Sequence, residues 1–105
     1  MVLRGGENVF CSEVETALYK HPDVAECSVF SVPDERLGEE VGAAIFPAPG
    51  TSPTAAELRD FCKTQLAAYK APRYIWILEE PLPRNASGKF VKRTLQEGLD
   101  ISNAA

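Results

Sequence analysis

Apolar and polar residues recur along this chain in two different periods, one typical of strands and the other of helices. Residues 24–32 alternate at every second position, whereas residues 40–46 carry few polar side chains, so both are predicted strands and the second is predicted to be central. Residues 74–78 form a third run that is apolar on both faces. In the first strand, the alternation places Ala25, Cys27 and Val29 on one face and Val24, Glu26, Ser28 and Phe30 on the other.

Three other segments have the spacing of amphipathic helices. Ser12-Glu13-Val14-Glu15 is a capping box that predicts the start of the first helix, and Pro22 predicts its end. The second helix is predicted to start at Ser52-Pro53, with Ser52 as the cap, and to end near Lys70. A last helix is predicted over residues 89–98. One face of the first helix is predicted to carry Phe10, Val14, Ala17 and Leu18.

The order of these elements predicts an α+β fold. We expect a small three-stranded sheet flanked by helices, with a short N-terminal strand or hairpin at residues 2–4. The chain has 105 residues, which is enough for one modest core. Residues 1–98 are therefore predicted to form a single domain, and residues 99–105 a frayed tail.

Composition and charge argue against several classes of protein. The net charge is −4, whereas a nucleic-acid-binding protein usually has a basic face, so no nucleic-acid partner is expected. No apolar run has the length of a transmembrane segment, and the first residues lack the pattern of a signal peptide. Cys11, Cys27 and Cys62 are widely spaced, which predicts neither a disulfide framework nor a metal site. Reduced cysteines of this kind are typical of a cytoplasmic protein.

Two adjacent glycines near the start of the chain form the first candidate site. Gly5 and Gly6 allow the backbone to adopt positive φ or to approach a ligand closely. Glu7 and Asn8 follow them directly, and a charged residue at that point is not expected in a core. From the residues alone, an ordinary turn between a strand and a helix is an equally good interpretation.

A loop near the end of the chain forms the second candidate site. The segment covers residues 82–89: residues 85–88 form a loop of small and polar residues, and Lys89 then leads into the last predicted helix, a position suited to binding anionic oxygens. The segment is not a Walker A loop, because Pro83 and Phe90 stand where that motif needs glycine and Ser or Thr. A solvated lysine on a turn remains the alternative.

The other charged residues are predicted to have no catalytic role. His21 precedes a proline at a helix end, and no arrangement of a nucleophile with a base is visible. The charged residues predicted to be solvated are Lys20, Asp34, Glu35, Glu39, Glu40, Lys63 and Lys70.

Both candidate sites resemble motifs of one protein superfamily, the C-terminal domain of acyl-CoA synthetases, firefly luciferase and peptide-synthetase adenylation domains. Arg4-Gly5-Gly6-Glu7-Asn8-Val9, followed by Glu13-Val14-Glu15, resembles the eighth core motif of that superfamily. Residues 83–89 resemble the tenth, with the lysine of the motif at Lys89. Two further signatures lie between them, Val32-Pro33-Asp34 with Gly38-Glu39, and Tyr69-Lys70-Ala71-Pro72.

The resemblance implies the C-terminal domain of an AMP-forming acid–CoA ligase that acts on a fatty or aromatic acid. In such enzymes a carboxylate and ATP with Mg²⁺ give an acyl-adenylate, and CoA then displaces AMP. The implied catalytic residue for adenylation is Lys89. Gly5, Gly6, Glu7 and Asn8 are the implied strand-turn that lines the pantetheine channel.

The resemblance also implies partners for this chain. A large N-terminal adenylation domain is expected, together with ATP, Mg²⁺ and CoA in the full-length enzyme. The chain alone is expected to bind none of these tightly, to hold no metal and to be inactive. Lysines at the position of Lys89 are acetylated in bacterial members, which makes a lysine acetyltransferase a further candidate partner.

Two departures from the family pattern and two alternatives accompany this interpretation. The family often has proline where Cys11 stands, and its hinge residue just before the eighth motif is missing here. One alternative is an adenylation domain that loads an acyl or aminoacyl group onto a carrier protein. The other is an unrelated α+β binding module, which requires Tyr74 and Trp76 to be exposed on one face of the sheet.

Overall fold

The computed structural model describes residues 2–82 together with 86, 95, 96, 98, 99 and 104. The last predicted helix, residues 89–98, and the predicted tail, residues 99–105, lie mostly outside these described residues. The strands are β1 (Val2–Arg4), β2 (Glu7–Val9), β3 (Val24–Asp34), β4 (Gly38–Pro47) and β5 (Tyr74–Ile77). The helices are α1 (Cys11–Tyr19), α2 (Ala55–Gln65) and a short 3₁₀ helix (Ala68–Lys70).

Strand β4 is the centre of the sheet, as its apolar sequence predicted. Strand β3 pairs with it in antiparallel fashion along its whole length, from Gly38 to Pro47. On the other edge, β1 pairs antiparallel at Gly38 and β5 pairs parallel from Gly42 to Ile45. In the part of the chain that the structure describes, neither of these two neighbours pairs with β4 at Glu40.

The α+β class is confirmed, and the sheet contains five strands. Three of them, β3, β4 and β5, are the strands that periodicity predicted. The other two form the N-terminal hairpin, which joins the sheet because Arg4 pairs with Gly38. The short strand predicted at residues 2–4 is β1, whereas β2 was not predicted, because its three residues are too few for a period of two to be recognised.

Apolar side chains cover both faces of the sheet. The larger cluster lies beneath α1 and α2 and includes Val14, Leu18, Cys27, Val29, Val41, Ile45, Leu58, Cys62 and Ile75. The smaller cluster lies on the opposite face and consists of Phe30, Val32, Ala44, Trp76, Leu82 and Leu95.

The alternation predicted for β3 is wrong at its first two residues. The pairing with β4 shifts between Val24 and Glu26, so Ala25 is an irregularity in the ladder. Val24 consequently packs in the same cluster as Cys27 and Val29, and Ala25 is exposed. A bulge inserts one residue and reverses the faces before it, which a strict period of two does not predict.

Both predicted helix starts are displaced by one or two residues. Helix α1 begins at Cys11 after Phe10, which makes no side-chain capping bond and is 54% exposed, so Ser12 is not the cap and Phe10 is not on the buried face. Helix α2 is capped by Thr54, whose Oγ1 accepts a hydrogen bond from the Glu57 backbone N–H (3.1 Å), and Ser52 is not the cap. It ends at Gln65, where the chain continues into the 3₁₀ helix.

Candidate functional site

The turn between β1 and β2 is the sharpest feature of the candidate site. Gly5 has φ of 56° and Gly6 has φ of 90°, the positive pair that a two-residue hairpin turn of type I′ requires. A Cβ on Gly5 would lie 3.0 Å from Leu37 Cδ2, whereas a Cβ on Gly6 would have no heavy atom within 4 Å. Gly6 therefore presents bare backbone at an open surface.

Two backbone groups of the hairpin are held by residues just before and at the start of β4. The N–H of Gly5 donates to the carbonyl of Leu37 (2.9 Å), and the N–H of Leu3 donates to Glu39 Oε1 (2.7 Å). Glu39 was expected to be solvated, but its carboxylate here replaces a strand partner for the edge of β1. The signature Gly38-Glu39 thus lies directly beside the glycine turn.

The loop that carries the Leu37 carbonyl is ordered by Asp34. Its Oδ1 accepts hydrogen bonds from the N–H groups of Leu37 (2.8 Å) and Arg36 (2.9 Å). The bond from Leu37 has the larger effect, and both bonds hold the pKa of Asp34 below its usual value because they stabilise the carboxylate. Asp34 is therefore part of the turn structure, a role that its prediction as a solvated loop charge did not include.

An ion pair joins the last residue of β1 to the unpaired edge of β4. Arg4 Nε donates to Glu40 Oε1 over 2.7 Å, and the same oxygen accepts the N–H of Val41 (3.1 Å). Glu40 is only 4% exposed, so its prediction as a solvated strand-start charge is wrong. The carboxylate is buried because β4 already begins at Gly38, which places Glu40 inside a strand.

The third segment around the hairpin is the Tyr69–Pro72 signature. Lys70 Nζ donates to Glu13 Oε1 (2.9 Å), which ties the 3₁₀ helix to the start of α1. This hydrogen bond raises the pKa of Lys70, and the nearby charge of Glu7 on β2 adds to the shift. Lys70 is thus paired, which corrects its prediction as a solvated lysine.

The structure brings together one of the two predicted sites. Gly5, Gly6, Glu7 and Asn8 form the turn and the exposed part of β2, and both intervening signatures lie beside this hairpin. Lys89 lies outside the described residues. Sequence reasoning missed the Arg4–Glu40 pair, because its members are 36 positions apart and only the pairing of β1 with β4 brings them into contact.

The aromatic residues of β5 do not form an exposed platform. Trp76 is 4% exposed and stacks on Phe30 with a centroid distance of 5.7 Å. Leu82 and Leu95 belong to the same apolar cluster. This burial contradicts the binding-module alternative, which needed Tyr74 and Trp76 at the surface.

The chain belongs to the AMP-binding enzyme C-terminal domain family, whose model matches residues 13–89. The matched residues include β3, β4 and β5 and both of the signatures that lie beside the hairpin. The longer of the two described α-helices has 11 residues and is too short to cross a bilayer.

Within this family, the chain is similar to several individual enzymes among curated proteins and solved structures. The chain is 43% identical over 100 residues to a mitochondrial medium-chain acyl-CoA ligase from Mus musculus, covering 95% of this chain and 16% of that protein. It is 45% identical over 97 residues to a fatty acid–[acyl-carrier-protein] ligase from Streptomyces coeruleorubidus, covering 91% of this chain and 18% of that protein. A fatty acyl-CoA synthetase structure from Mycobacterium tuberculosis superposes with a TM-score of 0.85 at 35% identity, covering 93% of this chain and 19% of that chain.

The proteins that the chain matches are much longer than the chain itself. It spans less than a fifth of the length of each of the three proteins that it matches. The mouse relative is named as mitochondrial, so a cytoplasmic location for this chain stays a prediction.

Proposed function

We propose that this chain is the small domain of an AMP-forming acid–thiol ligase that uses CoA, and that the Gly5–Gly6 hairpin serves its thioester-forming step. The observation that carries the proposal is the turn itself. Two glycines in the left-handed region put bare backbone at an open surface, and the segment at residues 34–40 holds them there. A neutral, narrow chain such as pantetheine is a ligand that such a surface can approach closely.

The two candidate sites are assigned to different half-reactions. Lys89 would supply a cation to the carboxylate and phosphate oxygens as charge develops during adenylation. Gly5, Gly6, Glu7 and Asn8 would line the path of the thiol in the second step. A large adenylation domain of the same protein would bind ATP, Mg²⁺ and the acid, so this chain alone is expected to release no pyrophosphate.

The acceptor of the acyl group is the point on which the alternatives differ. Both a CoA ligase and a carrier-protein ligase are found among the relatives. We favour CoA, with a fatty or aromatic acid as substrate. Transfer to free CoA by the full-length ligase would support this choice, and transfer only to a carrier protein would support the other.

The proposal is tested by replacing Gly6 with valine in the full-length ligase, meaning this domain joined to its adenylation domain. A side chain at Gly6 would project into the open space where the thiol is proposed to pass, and it would strain a backbone with positive φ. Acyl transfer from the adenylate to CoA should fall by about tenfold or more, while pyrophosphate exchange is largely kept.

Gly50 provides a matched control for this substitution. It also has positive φ, 80°, with no heavy atom within 4 Å of a Cβ, but it follows the far end of β4. Gly50→Val should therefore carry a similar backbone strain and leave both half-reactions intact. Equal loss of exchange and transfer in Gly6→Val would show that the glycine is only structural.

A complementary test uses Lys89→Ala. Adenylation should slow by about 10² to 10³, the usual cost of losing one preorganised donor, while transfer from supplied acyl-adenylate survives. Acetylation of Lys89 removes the same charge and should have the same selective effect. Loss of both half-reactions to the same extent would contradict the division of roles.

A further inference from the structure

The hairpin is joined to the rest of the sheet by little backbone pairing. Strand β1 pairs with β4 at a single position, Arg4 with Gly38, and the Gly5 N–H adds one bond to Leu37. By contrast, β3 pairs with β4 over the length of both strands. Side chains must therefore supply most of what orients the tip of the hairpin.

The base and the tip of the hairpin are held by different means. Val2 and Val9 pair with each other across the hairpin, are fully buried and belong to the main core, so they fix the base. At the other end, Gly5 and Gly6 have no side chains with which to pack. Arg4 is the last residue before the turn whose side chain contacts β4.

The geometry of the Arg4–Glu40 pair is suited to fixing a direction. Glu40 Oε1 is held by the Val41 N–H of its own strand, so the carboxylate has a defined orientation. Arg4 Nε meets that oxygen at 2.7 Å, and a guanidinium nitrogen bonded to a carboxylate is a charge-assisted, directional contact. The position of the Arg4 side chain is therefore fixed relative to β4.

Stability alone does not account for this pair. The side chain of Glu40 is 5% exposed and that of Arg4 29%, and a buried ion pair contributes little net stability compared with apolar residues of the same size. The pair lines a cleft of about 160 Å³ with three more cations, Arg59, Lys63 and Arg73. All three cations line the same cleft as the Glu40 carboxylate.

We infer that Arg4 and Glu40 are positioning residues, which hold the Gly5–Gly6 turn where the thioester-forming step needs it. The inference rests on the function proposed above. Neither side chain is assigned contact with the reacting atoms. Breaking the pair should loosen the turn while the core and the adenylation step persist.

The test measures both half-reactions of the full-length ligase in Arg4→Met, Glu40→Gln and the double variant. Acyl transfer to CoA should lose about tenfold or more in kcat, since small misplacements near reacting groups are costly, with a smaller change in KM for CoA. The rate of pyrophosphate exchange should stay within about twofold of the rate of the unsubstituted ligase. Because the two residues act as one unit, the double variant should be no worse than the poorer single variant.

Two further variants separate positioning from stability. Arg4→Lys should not restore transfer, because an ammonium lacks the planar fork of the guanidinium. Ile45→Val lies near the opposite end of β4, is fully buried and should cost about 0.5–1.5 kcal/mol, yet should leave both half-reactions unchanged.

The possible outcomes distinguish this inference from the proposed function. If Arg4→Met lowers exchange and transfer equally, in proportion to its thermal destabilisation, the pair is structural and the inference is overturned. If Gly6→Val itself spares transfer, the proposed function fails instead. Should Glu40→Gln not fold, Arg4→Met decides, because Arg4 is the more exposed member of the pair.

Discussion

Gly42 is the residue at which the centre of the sheet is most crowded. It lies in β4, and a Cβ there would stand 2.6 Å from Val32 Cγ2, 3.1 Å from Trp76 Cζ3 and 3.2 Å from Phe30 Cε2. The glycine is therefore required by the packing of the second apolar cluster and not by its backbone angles. Two aromatic rings can lie on β4 only because this position has no side chain.

Replacement of Gly42 by alanine should destabilise the chain by about 1–3 kcal/mol, the usual cost of overpacking. The measurement is thermal or urea unfolding of the variant against the parent chain. Combining it with Val32→Ala removes the nearest atom, so the double variant should lose less than the sum of the single losses. Strict additivity would show that Val32 is not the group that Gly42 accommodates.

At the scale of single elements, the N-terminus of helix α2 is capped by Thr54 and not by Ser52. Thr54 Oγ1 accepts the N–H of Glu57, whereas Ser52 lies two residues upstream and is exposed. Thr54→Ala should cost about 1 kcal/mol, and the matched control Ser52→Ala should cost almost nothing. Unfolding curves of both variants decide between them, and the reverse order of stabilities would restore the cap predicted from the sequence.

The same comparison shows what the sequence can and cannot predict. Strand β3 was predicted from its period and β4 from its continuous apolar residues, and a turn at Gly5-Gly6 was predicted without the second strand that follows it. The caps were displaced because Ser, Thr and Pro close together allow several starts, and only the folded backbone selects one. The Arg4–Glu40 pair was missed because it depends on strand pairing between distant segments, and no local pattern encodes that pairing.

At the scale of the whole molecule, the burial of thiol groups makes the folded chain less stable at alkaline pH. Cys11, Cys27 and Cys62, all in the part of the chain that the structure describes, form no disulfide, and Cys27 and Cys62 are buried. Burial raises the pKa of Cys62 to about 11, because the thiolate is poorly solvated there. Above a pH of about 9, the unfolded chain therefore loses this proton while the native chain keeps it, so stability falls as the pH rises.

Between pH about 7 and about 10, this linkage should remove about 1 kcal/mol of stability, given about 1.4 kcal/mol for each unit of pKa. Tyr19, whose pKa is also raised by burial, should act in the same direction. Thermal unfolding of the parent chain and of Cys62→Ala at both pH values measures how much of the loss of stability is due to Cys62. The variant should be less stable at neutral pH but lose less on going to alkaline pH, and an identical loss would contradict the assignment.

The connections of β4 also set an order of events in folding. Strand β3 reaches β4 through a short turn, whereas β5 joins β4 only after a crossover over residues 48–73 that includes α2. Closing a long loop costs more entropy than closing a short one, so the β3–β4 ribbon should form in the transition state and β5 should dock afterwards.

Kinetic measurements in denaturant would check this order. Val29→Ala, in β3, should mainly slow folding, with a φ-value of about 0.5–0.8, whereas Ile75→Val, in β5, should mainly speed unfolding, with a φ-value below about 0.3. Both side chains are almost fully buried, so both substitutions change the equilibrium enough to be measured. The late arrival of β5 leaves the edge of β4 from Gly42 to Ile45 open for part of the folding reaction, and that edge is where two copies of the chain would pair by mistake at high concentration.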